Sequence, residues 1–494
     1  MPFSRRLVSV AVLFLISSAL LVALHAPLLT LPFYWDELGQ FVPTALDLLR
    51  TGAWVAHSTI PNVHPPGVEV YLVLWYKLFG FSIPITRVAM LLVASAGLVF
   101  TFLLAIELSG EAPGMPAFLP PLFLLASPLF YTQSMMAQLD MPAMVLTTLA
   151  LLLFLKQRWF TCAMSCVVLV LVKETGLVVP AVFCVIFLLR RDWKRAVLFA
   201  LPAIPLAGWL LLLHAKTAYW LGDPGFAHYN VGYALHPVRV FFSLLRRVYY
   251  LFFAEFRWIG TLVLIWAARK YPLFRSEAWK ITLTVSIATV VLVSILGGAE
   301  LERYLLPVLP VLYIAFGIAF AYLPSSARLA AAAALIVALM GNLFWNPPYP
   351  FPYENNYAMV DFVRLQRVAA QWAETYARRR PIATAWPFTA ALRRPDYGYV
   401  SRPLHVVETG DFHLSSIEAL PPRSFDVLIT YTRTWNPPGG AMTLPYVERF
   451  LARFYEWQPD ISNEECERLG LIQKANVSRR GQSVTIYVRQ DGGF

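Results

Sequence analysis

Eleven apolar runs, at 7–29, 84–107, 116–132, 141–156, 159–172, 175–190, 196–214, 248–268, 279–297, 304–322 and 328–345, fill most of the first 345 positions of this 494-residue chain. No other feature constrains its fold as strongly, because a bilayer-spanning helix needs ~20 apolar residues and a water-soluble core has no place for so many. Composition agrees, with 58% hydrophobic residues, 14% charged residues and a mean hydropathy of +0.59. The expected fold is a polytopic α-helical membrane protein of about eleven transmembrane helices plus juxtamembrane helices.

Orientation follows from the basic residues. The run 66–79 is about 14 residues, short for a crossing. If it lies on the surface, then Lys156, Arg158, the cluster Arg190-Arg191-Asp192-Trp193-Lys194-Arg195, the segment 269–280 and Arg328 all fall on the cytoplasmic side. If it crosses, every later loop flips outward against the positive-inside rule. The run is therefore expected to be a juxtamembrane helix. Arg5-Arg6 precede the first apolar run, whose end, Leu24-His25-Ala26, is a poor cleavage site for a signal peptide. That run is expected to be a first transmembrane helix with a cytoplasmic N-terminus.

Charge excludes some partners. After residue 345 there are 17 Lys+Arg against 15 Asp+Glu, which leaves 23 against 14 before it. The basic excess thus sits in the membrane part, where it fits cytoplasmic loops and anionic membrane lipid rather than nucleic acid. Cys162, Cys166 and Cys184 lie in apolar runs and Cys466 stands apart in the tail, so no disulfide framework is expected.

Beyond Asn346-Pro-Pro-Tyr-Pro-Phe-Pro, a stiff linker, the pattern changes to a helix at 357–379, strands at 381–385 and 425–431, a helix at 446–455 and a terminal hairpin that includes 484–488. This alternation predicts a C-terminal α/β domain over 346–494, outside the cytoplasm, after a membrane domain over 1–345. It carries no nucleotide loop, and Asn476-Val477-Ser478 is read as a chance sequon.

The topology gathers charged and polar residues at outer helix ends: Asp36 and Glu37, His57 and His64, Asp140, Lys173 and Glu174, and Glu300, Glu302, Arg303 and Tyr304. The loop 214–247 lies on the same face, an interfacial amphipathic segment with Arg239, Arg246 and Arg247 among aromatics. Ionisable groups at such positions are costly and mark function. Each also has a structural reading: Asp36 and Asp140 as helix caps, Lys173 as a snorkelling side chain, Arg303 and Tyr304 as an interfacial anchor, and His64 as part of a proline turn.

Taken in order, Tyr34-Trp35-Asp36-Glu37, His64-Pro65-Pro66-Gly67, Ser127-Pro128 before Gln138-Leu139-Asp140-Met141-Pro142, Lys173-Glu174-Thr175-Gly176 and Arg303-Tyr304-Leu305-Leu306-Pro307 resemble the class C integral-membrane glycosyltransferases. Within them the likeness is to the protein O-mannosyltransferase and lipid A aminoarabinose transferase group, over about residues 5–345. The tail resembles the extracytoplasmic domains of bacterial members only loosely. The resemblance implies an enzyme of the bacterial inner membrane that moves a sugar from a polyprenyl phosphate to a hydroxyl or amine of a lipid, glycan or protein. It also implies that Asp36 matches the catalytic aspartate.

Such chemistry needs cations for the departing phosphate and a carboxylate for the acceptor proton. Lys173 and Arg303, with Tyr304 as neutral donor, suit the first; Asp36 suits the second. Asp140 is expected to orient the acceptor or help hold a divalent cation, a cofactor neither required nor excluded by carboxylates alone. Glu37, His64, Glu174, Arg239 and Arg246 are candidate substrate contacts. No nucleotide cofactor is expected, because the sugar arrives already activated. The tail is expected to help select the acceptor without supplying chemistry. Two other classes compete: a transporter or flippase for a lipid or anionic solute, against which stands the lack of an internal repeat, and a non-catalytic scaffold that presents the tail.

Overall fold

A proline decides where the helices first depart from the expected spans. In the computed structural model, which describes residues 3–110, 114–298, 300–437, 439–440 and 444–490, Ser127 precedes Pro128 and lies at φ −66°, ψ 125°. Proline drives the residue before it out of the α region. The expected span 116–132 is accordingly two helices, Leu119–Ala126 and Pro128–Gln133.

The expected span 248–268 is also replaced. An amphipathic helix, Pro237–Phe252, ends in the turn Ala254–Phe256, where Glu255 has φ 54°, and a new helix runs over Trp258–Lys270. The turn answers a buried charge. Arg257 is fully buried and bonds to the Glu255 carboxylate at 2.6 Å, the Tyr250 carbonyl at 2.8 Å and the Tyr313 hydroxyl at 3.1 Å. A guanidinium so enclosed is tolerated only when its donors are satisfied.

Among the described residues six helices are long and apolar enough to cross a membrane: Ser9–Leu28, Ile83–Leu108, Trp193–Thr217, Glu277–Ile295, Glu302–Ala321 and Ser325–Asn342. Asp140–Leu155, Trp159–Val172 and Glu174–Leu189 are apolar but shorter. On this measure the expected eleven spans are not reached. The segment expected to lie on the surface is the 13-residue helix Gly67–Phe79. At ~1.5 Å per residue it reaches ~20 Å, short of the ~30 Å hydrocarbon layer.

The helices turn Leu15, Leu189, Ile204, Leu262, Leu329 and Val337 outward, an apolar surface suited to lipid. Inward, Phe154 stacks on Phe183 at 4.0 Å and packs against Phe187 and Phe199 at 5.5 and 5.7 Å. The chain is an integral membrane protein.

It packs as two compact units. The first comprises the chain up to Ala26, Thr44–Gly80 and Ile85–Leu343; the second comprises Pro27–Pro43, Phe81–Pro84 and the chain from Phe344 onward. The second holds a five-stranded sheet of β1 (Ile382–Ala385), β2 (Val406–Thr409), β3 (Val427–Tyr431), β4 (Leu471–Arg479) and β5 (Gln482–Arg489), in the order β2-β1-β3-β5-β4. Strands β2, β1 and β3 run parallel, with Ile382 opposite Val406 and Val427, while β5 is antiparallel to both β3 and β4. Helix Ala358–Tyr376 packs on the sheet, and Ala383, Phe425, Leu428, Leu471 and Tyr487 belong to its core. The expected helices and hairpin are present; β2 adds a strand that its four residues did not announce.

Candidate functional site

Helix breaks in the first unit bring the cations to one carboxylate. Helix Trp159–Val172 stops at Lys173, which is extended at φ −151°, ψ 123° before the short 3-10 turn Glu174–Leu177. Asp140 opens helix Asp140–Leu155, and Arg303 and Tyr304 lie on the 3-10 segment Glu302–Val308 that leads into Leu309–Ala321. Lys173 Nζ donates to Asp140 Oδ1, while Arg303 Nε stands 3.1 Å from Asp140 Oδ2. Arg303 Nη1 donates to Gln138 Oε1 at 2.7 Å. Lys173 also sits over the Tyr304 ring, 4.3 Å from its centroid.

Asp140, Lys173 and Arg303 are 3%, 7% and 5% exposed. Snorkelling does not describe a lysine so enclosed, and capping does not describe a carboxylate held by two cations. Two cations share one carboxylate, so the group retains a positive charge in a site shielded from water. Such a group suits a phosphate.

Other expected residues arrange themselves around this trio or apart from it. His64 Nδ1 pairs with Glu174 Oε2 at 2.8 Å, and the His64 backbone N–H donates to Asn62 Oδ1 at 3.0 Å. Gly67 matters here, because a Cβ at this position would run into the Leu171 carbonyl, so glycine lets helix Gly67–Phe79 approach the turn that carries Lys173. A pocket beside His64 is lined by Asn62, Trp54, Glu69 and Trp209. Burial pushes the Glu69 carboxyl up to about 7, against the pull of its own backbone N–H and of His64, and its Oε2 has no hydrogen-bond partner. Arg246 Nε donates to Glu302 Oε1 at 2.9 Å, which brings it beside the Arg303 segment, whereas Arg239 donates to the Tyr233 carbonyl at 2.6 Å and lies over that ring. Among the described residues no group of three or more His, Cys, Asp or Glu is placed to hold a metal ion.

Asp36 and Glu37 belong to the second unit. Trp35 has φ 41°, and Asp36 leads into a single π-helical turn, Glu37–Phe41. Both features are uncommon and cluster at functional sites; a non-glycine residue at positive φ costs ~1–3 kcal/mol. The Asp36 side chain makes no capping bond to the helix that follows. It is 7% exposed, while Glu37 is fully buried and its Oε2 accepts the Tyr34 N–H at 2.9 Å. Glu37 therefore shapes the loop.

Sequence reasoning did not single out Gln138 as the partner of Arg303, nor the Glu255–Arg257 pair. Gln138 had a signal, two positions before Asp140 in the quoted motif. The buried pair had one too, an acid and a base two positions apart inside the expected span 248–268.

The fold is similar to that of two solved proteins, ArnT and AglB. The ArnT of Cupriavidus metallidurans bound to undecaprenyl phosphate aligns at TM-score 0.58 and 16% identity over 96% of this chain and 97% of that one, and its apo form at 0.52 and 17% over 95% and 97%. The archaeal oligosaccharyltransferase AglB of Archaeoglobus fulgidus, in complex with an inhibitory peptide and a dolichol-phosphate, aligns at 0.51 and 12% over 87% of this chain and 70% of that one. No protein-family model matches the chain, and no curated protein matches it.

Proposed function

We propose that this protein is a glycosyltransferase that moves a sugar from a polyprenyl-phosphate donor to a hydroxyl or amine of a lipid, glycan or protein acceptor. The observation that carries the reading is the buried trio in which Lys173 and Arg303 share Asp140. A lipid phosphate binds there through charge-assisted bonds, with Tyr304 beside it. The acceptor oxygen or nitrogen attacks the anomeric carbon and gives its proton to the Asp36 carboxylate. As that bond forms, the bond from the anomeric carbon to the phosphate oxygen breaks, and its electron pair leaves on the polyprenyl phosphate, where Lys173 and Arg303 stabilise it. Asp140 holds the two cations at a common spacing. His64 and Glu174 are substrate contacts at the edge of this site, with Arg246 beside Glu302; Arg239 and Glu37 support their own segments.

The fold shared with structures that hold undecaprenyl phosphate and dolichol-phosphate supports the donor class. In this reading residues 1–345 form the membrane domain of a bacterial inner-membrane enzyme, the N-terminus is cytoplasmic, and 346–494 lies on the periplasmic side with the active face. Purified protein in liposomes, given radiolabelled polyprenyl-phosphate monosaccharides and candidate acceptors, tests the proposal. Transfer or donor hydrolysis is the expected result. Movement of the lipid across the bilayer with neither reaction would make the protein a flippase and overturn it.

A further inference from the structure

Trp35 holds a backbone angle that an isolated loop would abandon, and the residues that enforce it come from the C-terminal part of the chain. Its ring packs against Trp386 at 5.8 Å, edge to face, and against Phe362 at 5.8 Å. Tyr34, on its other side, meets Phe362 at 5.3 Å. The Tyr399 hydroxyl donates to the Phe33 carbonyl at 2.7 Å in a buried setting. On the far side of Asp36, Gly39 lies so close under the Trp386 indole that a Cβ there would run into the ring. The loop is thus pinned just before and just after Asp36, and Asp36 itself lies between the pins.

We infer that Trp386, Phe362 and Tyr399 are positioning residues for the reaction: the C-terminal domain acts as a clamp that sets the direction of the Asp36 carboxylate. This rests on the reading of Asp36 as the base. It changes what the tail is for. The tail still supplies no reacting group, as expected, but its removal would release the loop that carries the base. General-base catalysis depends on geometry, and a displacement of ~1 Å in a reacting group costs ~10²-fold in rate.

The test uses the full-length protein in liposomes with a radiolabelled polyprenyl-phosphate monosaccharide that the parent turns over. Trp386→Ala should lower kcat by ~10- to 100-fold, with the donor KM and the binding of undecaprenyl phosphate changed by no more than a few-fold. Trp386→Phe should restore most of the loss. Combined with Asp36→Asn, Trp386→Ala should cost nothing further, because the group it positions is already disabled. Tyr399→Phe deletes one hydroxyl and supplies a variant that folds if Trp386→Ala does not; it should lower kcat several-fold with the melting temperature nearly unchanged. Hydrogen exchange over residues 31–41 should rise in either variant.

Parent-like kcat in Trp386→Ala and Tyr399→Phe would overturn the clamp, as would an equal further loss on the Asp36→Asn background. If Asp36→Asn alone kept parent activity, the functional reading of Asp36 would fall; a rise in exchange over 31–41 in Trp386→Ala would then show that the packing holds without the catalytic role.

Discussion

Removing one of the two cations from Asp140 should weaken the hold on the donor phosphate by an amount that the structure bounds. With Lys173 and Arg303 on a single carboxylate, the trio keeps one positive charge; Lys173→Ala brings it to neutral and deletes a charge-assisted donor. Such bonds contribute ~1.5–3 kcal/mol each, and each ~1.4 kcal/mol is tenfold in affinity, so the dissociation constant should rise by about 10- to 150-fold. Lys173→Arg keeps the charge and should lose less. Asp140→Asn provides the opposite sign, since it leaves both cations and removes their counter-charge; undecaprenyl phosphate should then bind at least as tightly as to the parent. The assay is titration of purified protein in detergent with undecaprenyl phosphate, accompanied by melting curves that separate lost binding from lost folding. Unchanged affinity in both Lys173→Ala and Arg303→Ala would refute the reasoning and move the phosphate elsewhere, with Arg246 the next residue to examine.

Asp36→Asn should reduce transfer by ~10² to 10⁴ while undecaprenyl phosphate binding stays near the parent value; activity within a few-fold would remove Asp36 from the chemistry. Glu69 predicts a pH dependence of stability. Its folded-state carboxyl titrates near 7, above the ordinary carboxylate value, so its contribution is fully present at low pH and lost as pH rises from about 4.5 through about 7; Glu69→Gln should melt higher than the parent at pH 8, by up to ~3 kcal/mol at ~1.4 per unit, and show no such gain at pH 4. Arg257→Met leaves Glu255 buried without its partner and should cost ~3–5 kcal/mol, read as a lower melting temperature, much of it recovered by adding Glu255→Gln. Orientation can be checked by cysteine labelling: Ser424→Cys should react with an impermeant reagent added outside intact spheroplasts and Ser276→Cys should not.

What was legible in the sequence had a period or an order. The long apolar spans, the short helix at 67–79 and the alternation of the tail all repeat along the chain, and five short motifs in sequence pointed to the glycosyltransferase fold. Lys173 beside Asp140 was foreseen only as membership of a common face; their actual bond joins residues 33 positions apart and leaves no local pattern. The break at Ser127 did carry a signal, the Ser-Pro step, which hydropathy outweighed in the reading. The break near Glu255 carried a signal as well, two opposite charges inside an expected span, although the bond between them is made only by packing. Residues 27–43 looked like the exit of a membrane helix, and nothing in them announces that they pack with a domain that starts three hundred residues later.

Tyr399 and Phe33, which that packing joins, are 366 positions apart. At ~5–20 residues per second of chain growth, roughly 20–70 s separate their synthesis. During that interval Lys173 and Arg303 come into existence while the loop around Asp36 still lacks Phe362, Trp386 and Tyr399. Time itself therefore orders the assembly: a half-made chain can bring Lys173 and Arg303 to Asp140 before Phe362, Trp386 and Tyr399 exist to pack on the loop around Asp36.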